Sequence, residues 1–194
     1  EITVKRLSEI FLELQDKGAH NINLVSPTHY VPQIIAALDM CRDKLHIPVA
    51  YNCGGYEKAE TIEMLRGYVD IFMPDMKYYS SELSEKYSAA PDYFEYASKA
   101  IAKMIEIAGK PVFDENGIMQ SGVIIRHMVL PTHRRDSEEI LKKLYELYGK
   151  DSFLLSLMTV HLGKDNGVEQ PVSPQLVGQC TLFAQPVLLV AHGY

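Results

Sequence analysis

Strand-like and helix-like stretches alternate about five times along this chain, with helical connections long enough for right-handed parallel crossovers. That alternation predicts an α/β fold with a mostly parallel sheet and outer helices, built either as a partial (β/α) barrel or as an open doubly wound sheet. A second observation places its centre. The stretch Val69-Asp70-Ile71-Phe72-Met73-Pro74-Asp75-Met76-Lys77 opens as an apolar strand and stops on an acid and a base. Strands buried on both faces read as continuous apolar runs, and the polar residues at their carboxyl ends are where α/β proteins place ligands. The third observation is a change of character after Met158, which predicts one domain over residues 1–158 and an irregular carboxyl-terminal tail over 159–194.

The elements follow in order. Val4, Leu7, Ile10, Phe11 and Leu14 recur at three and four, the stripe of an amphipathic helix, and Gly18 sits where a glycine closes one. Residues 21–25 read as a short strand and Ser26-Pro27-Thr28-His29 as the turn that leaves it. Val31, Ile34, Ile35, Leu38 and Cys41 give the next helix its buried stripe, with Thr28 or His29 near its amino end. A strand over about 48–52 runs into Cys53-Gly54-Gly55, a turn in which backbone can approach a ligand. Ala59, Ile62, Leu65 and Gly67 mark a further helix before the central strand, 69–77. Side chains alternate along a strand, so Met73, Asp75 and Lys77 leave on one side.

A short polar helix is expected over 80–87, and Asp92 with Glu95 has the pattern of a capping pair for a long helix carrying Phe94, Ala97, Ile101, Met104, Ile105 and Ala108. Val112-Phe113 and residues 122–130 read as strands joined across Asn116-Gly117, a strong hairpin signal. On the longer strand Ile124, Arg126, Met128 and Leu130 share a face on which Arg126 is the only charge. Asp136-Ser137 opens the last helix, striped by Ile140, Leu141, Leu144, Leu147 and Tyr148, and residues 153–157 form a final strand. The tail has Pro171, Pro174 and Pro186 and no helical period, which predicts a loosely ordered strap with a strand-like run at 186–191.

Composition bounds the function. The 194 residues are 47% hydrophobic, and a net charge of -6 argues against a nucleic-acid or anionic-membrane partner. No apolar run reaches membrane-span length and the amino end lacks the apolar core of a secretion signal, so the chain is expected to be cytoplasmic. Cys41, Cys53 and Cys180 are few, odd in number and far apart, which suits reduced thiols and gives no metal-ligand spacing. The chain opens without a methionine and directly inside a helical pattern, as an amino-terminal truncation would. His29 and His133 sit on turns, where solvation is the commoner role, and His127 reads as structural.

Strand ends supply one constellation: Ser26-Pro27-Thr28-His29, Asn52-Cys53-Gly54-Gly55, Asp75 with Lys77, and Arg126, all on one rim if the sheet is parallel. In the order NLVSPTHY, PVAYNCGGYE, VDIFMPDMKYY, IIRHMVLPTH and FLLSLM, the chain resembles the radical S-adenosylmethionine domain of pyruvate formate-lyase activating enzyme and its relatives, over roughly residues 2–158. The resemblance implies a partial (β/α) barrel of the radical S-adenosylmethionine type. It implies cofactor-binding roles for Thr28, Asn52, Asp75, Lys77 and Arg126: Asp75 and Lys77 match the family's Asp-x-Lys pair that meets the ribose and methionyl groups, and Arg126 matches an arginine close to cofactor and substrate. Asn52 falls where the activating enzyme has an aspartate. Thr28 stands in a segment where the family's Gly-Gly-Glu is absent, and His161 lies near a late histidine without matching its surroundings.

In the intact family member the cofactors are S-adenosylmethionine and a [4Fe-4S] cluster, held by Cys-x-x-x-Cys-x-x-Cys upstream of where this chain begins. Those cluster ligands are absent from this chain, which predicts a fragment inactive by itself. The implied activity is reductive cleavage of S-adenosylmethionine to a 5′-deoxyadenosyl radical, and the implied partner is a glycyl radical enzyme or another protein substrate. Catalytic residues are not identified and no metal ligand is assigned. The competing expectation is a non-catalytic α/β remnant that binds a partner, with a (β/α)-barrel aldolase or isomerase third. A barrel lacking its first strand also exposes an edge through which a homo-oligomer can form.

Overall fold

In a computed structural model of the protein, which describes residues 2–159, every step from one parallel strand to the next runs through helix or hairpin and returns beside the strand it left. The elements are α1 (Val4–Asp16), β1 (Ile22–Val25), a 3-10 turn (Thr28–Tyr30), α2 (Val31–Cys41), β2 (Val49–Cys53), α3 (Ala59–Glu63) and β3 (Ile71–Pro74). They continue with α4 (Ser81–Ser88), α5 (Tyr93–Ala108), β4 (Val112–Phe113), β5 (Met119–Val129), α6 (Arg134–Tyr148) and β6 (Leu154–Thr159). The pairs β1–β2, β2–β3, β3–β5 and β5–β6 are all parallel, so spatial order is chain order. The short β4 joins β5 antiparallel across the turn that Gly117 allows at φ +78.

The helices decide between the two architectures that alternation allows. Side chains alternate across each strand, and Ile22, Tyr51, Phe72, Val123, Ile125 and Leu155 point into one large core with Phe11 of α1, Leu38 of α2, Ile62 of α3, Ile101 of α5 and Leu144 of α6. Leu83 of α4 packs against the same core. The opposite face holds only a small cluster, Ala50, Ile71, Met73, Ile124 and Leu154, with Met119 beside it. A doubly wound sheet would carry helices on both faces. Among the described residues this one carries them on one, the arrangement of part of a (β/α) barrel, with the helix-free face toward the barrel interior.

Several local expectations need correction. The central strand stops at Pro74 instead of reaching residue 77; Pro74 has no amide donor, and Asp70 before the strand turns its carboxylate to the Val49 amide at 2.9 Å. The long hairpin strand starts at Met119, earlier than residue 122, and ends at Val129. Asp92 and Glu95 do not form a capping box: Asp92 accepts from the Tyr56 hydroxyl at 2.6 Å and Glu95 pairs with Lys99. The last helix begins at Arg134, because Asp136 turns its carboxylate to the amides of Tyr79 and Ser80, at 3.0 and 2.7 Å, and so sits inside the first turn. Thr28 and His29 do stand near the amino end of α2, in the 3-10 turn that leads into it, and Tyr30 is the cap residue. The tail from residue 160, with the expected strand at 186–191, His161 and Cys180, lies outside the described residues.

Candidate functional site

Parallel pairing points the carboxyl ends of the strands the same way, so the segments leaving them meet at one rim. Beyond Pro74 the ladder survives as two bonds: the Asp75 amide donates to the Cys53 carbonyl at 3.0 Å and the Met76 amide to the Arg126 carbonyl at 2.8 Å. A single parallel bridge therefore sets Asp75 beside Arg126. Their side chains emerge on the helix-free face, where Arg126 Nη2 lies 2.6 Å from Asp75 Oδ1. Lys77 leaves on the same side, with Nζ 3.6 Å from Asp75 Oδ2. One carboxylate thus stands between two cations, and the group retains a net positive charge. Arg126 Nε is buried and unpartnered among the described residues.

These three residues line a cleft of about 120 Å³ with Tyr78, Met128, Leu130 and Met158. Ligand clefts usually run to roughly 300 Å³ or more; the cleft that the described residues form is smaller, with these side chains as its wall. Its chemistry is a charged floor under an apolar shoulder of two methionines and a leucine. Such a wall can take an anionic group on the cations, hydroxyls on the carboxylate and an apolar portion above.

Asn52 lies on the same face of the sheet. It is buried on β2, in register with Val25 on one side and Met73 on the other, while its neighbours Tyr51 and Cys53 turn into the helix-side core. Thr28 stands apart. Its hydroxyl donates to Glu57 Oε1 at 2.6 Å and accepts from the Tyr51 hydroxyl at 3.4 Å, so it is engaged within the protein. The structure brings Asp75, Lys77 and Arg126 together, sets Asn52 one strand away from Asp75, and ties Thr28 into a separate network.

Two residues at this rim were not singled out from sequence. Glu57 is a carboxylate only 5% exposed, and burial raises its pKa despite the Thr28 bond and the nearby His29. Its Oε2 is buried without a partner among the described residues. Tyr93, from the first turn of α5, places its hydroxyl among the backbones of Gly54, Asp75 and Lys77. A tyrosine in an amphipathic helix and a glutamate in a loop carry no sequence signal for either placement. His127 is structural: it is buried, its Nδ1 donates to the Met76 carbonyl at 2.6 Å, and Nε2 therefore accepts from the Ser137 hydroxyl at 2.8 Å. Burial lowers its pKa, which favours that neutral tautomer. His133 sits before α6 and meets the Pro131 carbonyl at 2.8 Å, and His29 is exposed.

The described thiols do not fit an iron–sulfur cluster. Cys41 and Cys53 both have their side chains buried in the helix-side core, the face opposite the cleft, and burial pushes the Cys53 thiol up to about 12, far from the thiolate a cluster requires. Among the described residues no group of three or more His, Cys, Asp or Glu could hold a metal ion. No described helix is long and apolar enough to cross a membrane.

The fold and the rim define an α/β protein with part of a (β/α) barrel and a charged cleft at its strand ends. No protein-family model matches the chain. It is 32% identical over 131 residues to the uncharacterized protein MJ0674 of Methanocaldococcus jannaschii, a match that covers 66% of this chain and 34% of that protein. Its fold matches part of SuiB of Streptococcus suis with a TM-score of 0.53 and 15% identity, over 88% of this chain and 36% of that one. The chain spans about a third of the length of each.

Proposed function

We propose that this chain forms part of a radical S-adenosylmethionine enzyme, of the glycyl-radical activating type that its sequence resembles, and that Asp75, Lys77 and Arg126 make up the wall that binds S-adenosylmethionine. The observation that carries the reading is the placement of one carboxylate between two cations at the ends of adjacent parallel strands, on the helix-free face. The fold likeness to SuiB supports it. In such enzymes S-adenosylmethionine supplies the radical that abstracts hydrogen from a substrate, which in the activating type is a protein glycine.

The residues divide the binding by charge. Asp75 has acceptor capacity beyond its two ion-pair contacts and can take ribose hydroxyls, while Lys77 and the unused donors of Arg126 can take a carboxylate. Met128, Leu130 and Met158 give the cleft an apolar side against which the rest of the ligand can pack. The described residues supply no cluster ligand, so this chain's part in the chemistry is to bind and orient. Titration calorimetry of the full-length protein with S-adenosylmethionine tests the reading. Asp75→Ala and Lys77→Ala are each expected to weaken binding by about tenfold or more, which corresponds to about 1.4 kcal/mol, and His133→Ala to leave it unchanged. Affinity indifferent to both rim substitutions would overturn the assignment.

A further inference from the structure

The segment that carries Asp75 and Lys77 is held by very little sheet. After Asp75 donates to Cys53 and Met76 to Arg126, no strand among the described residues supplies an acceptor for the Lys77 amide. The Tyr93 hydroxyl does: the Lys77 amide donates to it at 3.1 Å, and its own proton faces the carbonyls of Gly54 and Asp75, each 2.9 Å away. Two rim segments, the turn after β2 and the segment after β3, therefore converge on one phenolic oxygen. Gly55 presses into the same place; at φ +80, a Cβ there would lie 2.0 Å from the Asp75 carbonyl oxygen and 3.0 Å from the Tyr93 hydroxyl. The Lys77 ammonium lies over this turn, 3.7 Å from where a Cβ on Gly54 would stand.

We propose that Tyr93 is a positioning residue for this rim: its hydroxyl fixes the spacing between the Gly54-Gly55 turn and the Asp75–Lys77 segment, and so sets where the Lys77 ammonium stands against the Asp75 carboxylate. The Tyr93 ring is 2% exposed and held by its neighbours, stacked with Tyr56 at 5.9 Å and edge-on to Tyr78 at 5.4 Å between centroids. That packing brings the oxygen to one point. Burial raises the phenol's pKa above its ordinary range, so the group keeps its proton and serves as donor and acceptor together. A residue that merely filled the core would need the ring alone. Here the polar atom meets three backbone groups from two loops.

The consequence for ligand affinity rests on the proposed binding of S-adenosylmethionine, whereas the consequence for Lys77 does not. Tyr93→Phe in the full-length protein keeps the ring and removes the oxygen. Hydrogen exchange at the Lys77 amide is expected to accelerate about tenfold, the size of one lost hydrogen bond, and acylation of the Lys77 amine by an N-hydroxysuccinimide ester to rise several-fold as the ion pair loosens. Affinity for S-adenosylmethionine is expected to fall about tenfold, while Tyr56→Phe, which removes an exposed hydroxyl bound to Asp92, changes none of these. Unchanged exchange and acylation at Lys77 overturn the proposal. So does faster exchange with unaltered affinity in a protein that binds S-adenosylmethionine. If the wild-type protein binds none, the ligand assignment fails, and the two readouts at Lys77 still decide the role of Tyr93. Should Tyr93→Phe fail to fold, fluorotyrosine at position 93, which keeps the oxygen and weakens it as an acceptor, must shift the same two readouts or the proposal falls.

Discussion

The two faces of one sheet are built from alternate residues of the same strands, yet they have opposite characters. On the helix side Tyr51, Phe72, Ile125 and Leu155 are fully buried in a core shared with the helices. On the other side, among the described residues, the buried cluster is five residues, Met128 and Met158 are 46% and 43% exposed, and Arg126 Nε and Asn23 Oδ1 are buried without partners. Polar atoms left without partners cost stability, and the helix side has one such atom as well, Glu57 Oε2, so the faces differ chiefly in how much apolar side chain each buries. The contrast teaches a division within each strand: one set of alternate residues packs against the helices, and the other carries a small buried cluster and, at the strand ends, the Asp75–Arg126 pair.

The sharpest way to break that contrast is on β3. Phe72→Ala removes a fully buried ring from the helix side and is expected to cost about 3–5 kcal/mol, measured by urea denaturation. A cost below about 1 kcal/mol would mean the helix-side core is looser than its burial implies. Asp75→Ala, on the opposite face, comes next. It leaves the part-buried Arg126 guanidinium without its carboxylate and is expected to cost about 1–3 kcal/mol in the same measurement. Loss of S-adenosylmethionine binding without that larger unfolding cost is what separates the two faces.

Legibility in sequence follows the same division. Alternating apolar segments, helix stripes and the Asp75-x-Lys77 pair are local patterns; the strands and helices stand where those patterns put them except at the ends corrected above, and Asp75 and Lys77 leave on one side. Arg126 was readable as the one charge on an apolar strand face. What periodicity cannot show is which face of the sheet the helices choose, since a stripe fits either, and that choice separates barrel from doubly wound sheet. The contacts of Glu57 with Thr28 and of Tyr93 with Gly54 span 29 and 39 residues of chain. A carboxylate in a loop reads as solvated and a helical tyrosine as half-buried, so only the folded backbone shows that both are enclosed at the rim. Asp92 fails as half of a capping pair and Asp136 as the start of its helix for the same reason: each carboxylate is engaged by a partner distant in sequence.

Two buried titratable groups on the helix side give the comparison a pH signature. Glu57 has a folded pKa raised above its ordinary 4.5 by burial, so above that pH the folded chain holds a proton the unfolded chain has lost. Its contribution to stability is present at low pH and is lost as pH rises through the folded pKa. His127 has the opposite sign. Burial depresses its pKa below 6.5, so its contribution is present above that value and is lost as pH falls toward the folded pKa. Melting temperatures measured between about pH 4 and 8 should show wild type losing ground to Glu57→Gln as pH rises above 4.5, and to His127→Gln as pH falls below 6.5. Parallel curves would mean that neither group is enclosed as described.

The smallest expected effect belongs to the apolar shoulder of the cleft. Met128 follows His127 on β5 and points to the other side, so two adjacent residues sample the two faces at one level of the sheet. Its side chain is half in solvent, and Met128↔Met158 is a pairing of two exposed residues. Met128→Gln keeps the length of the chain and its strand position while replacing the thioether with an amide that water can solvate. Surface substitutions of this kind move stability within about 0.5 kcal/mol, and urea denaturation should find it there. A loss above about 1.5 kcal/mol, in the range of buried methionine replacements, would show that Met128 is covered within the folded protein. The helix-free face would then be a second core, and the cleft beside Asp75 would be closed to a ligand.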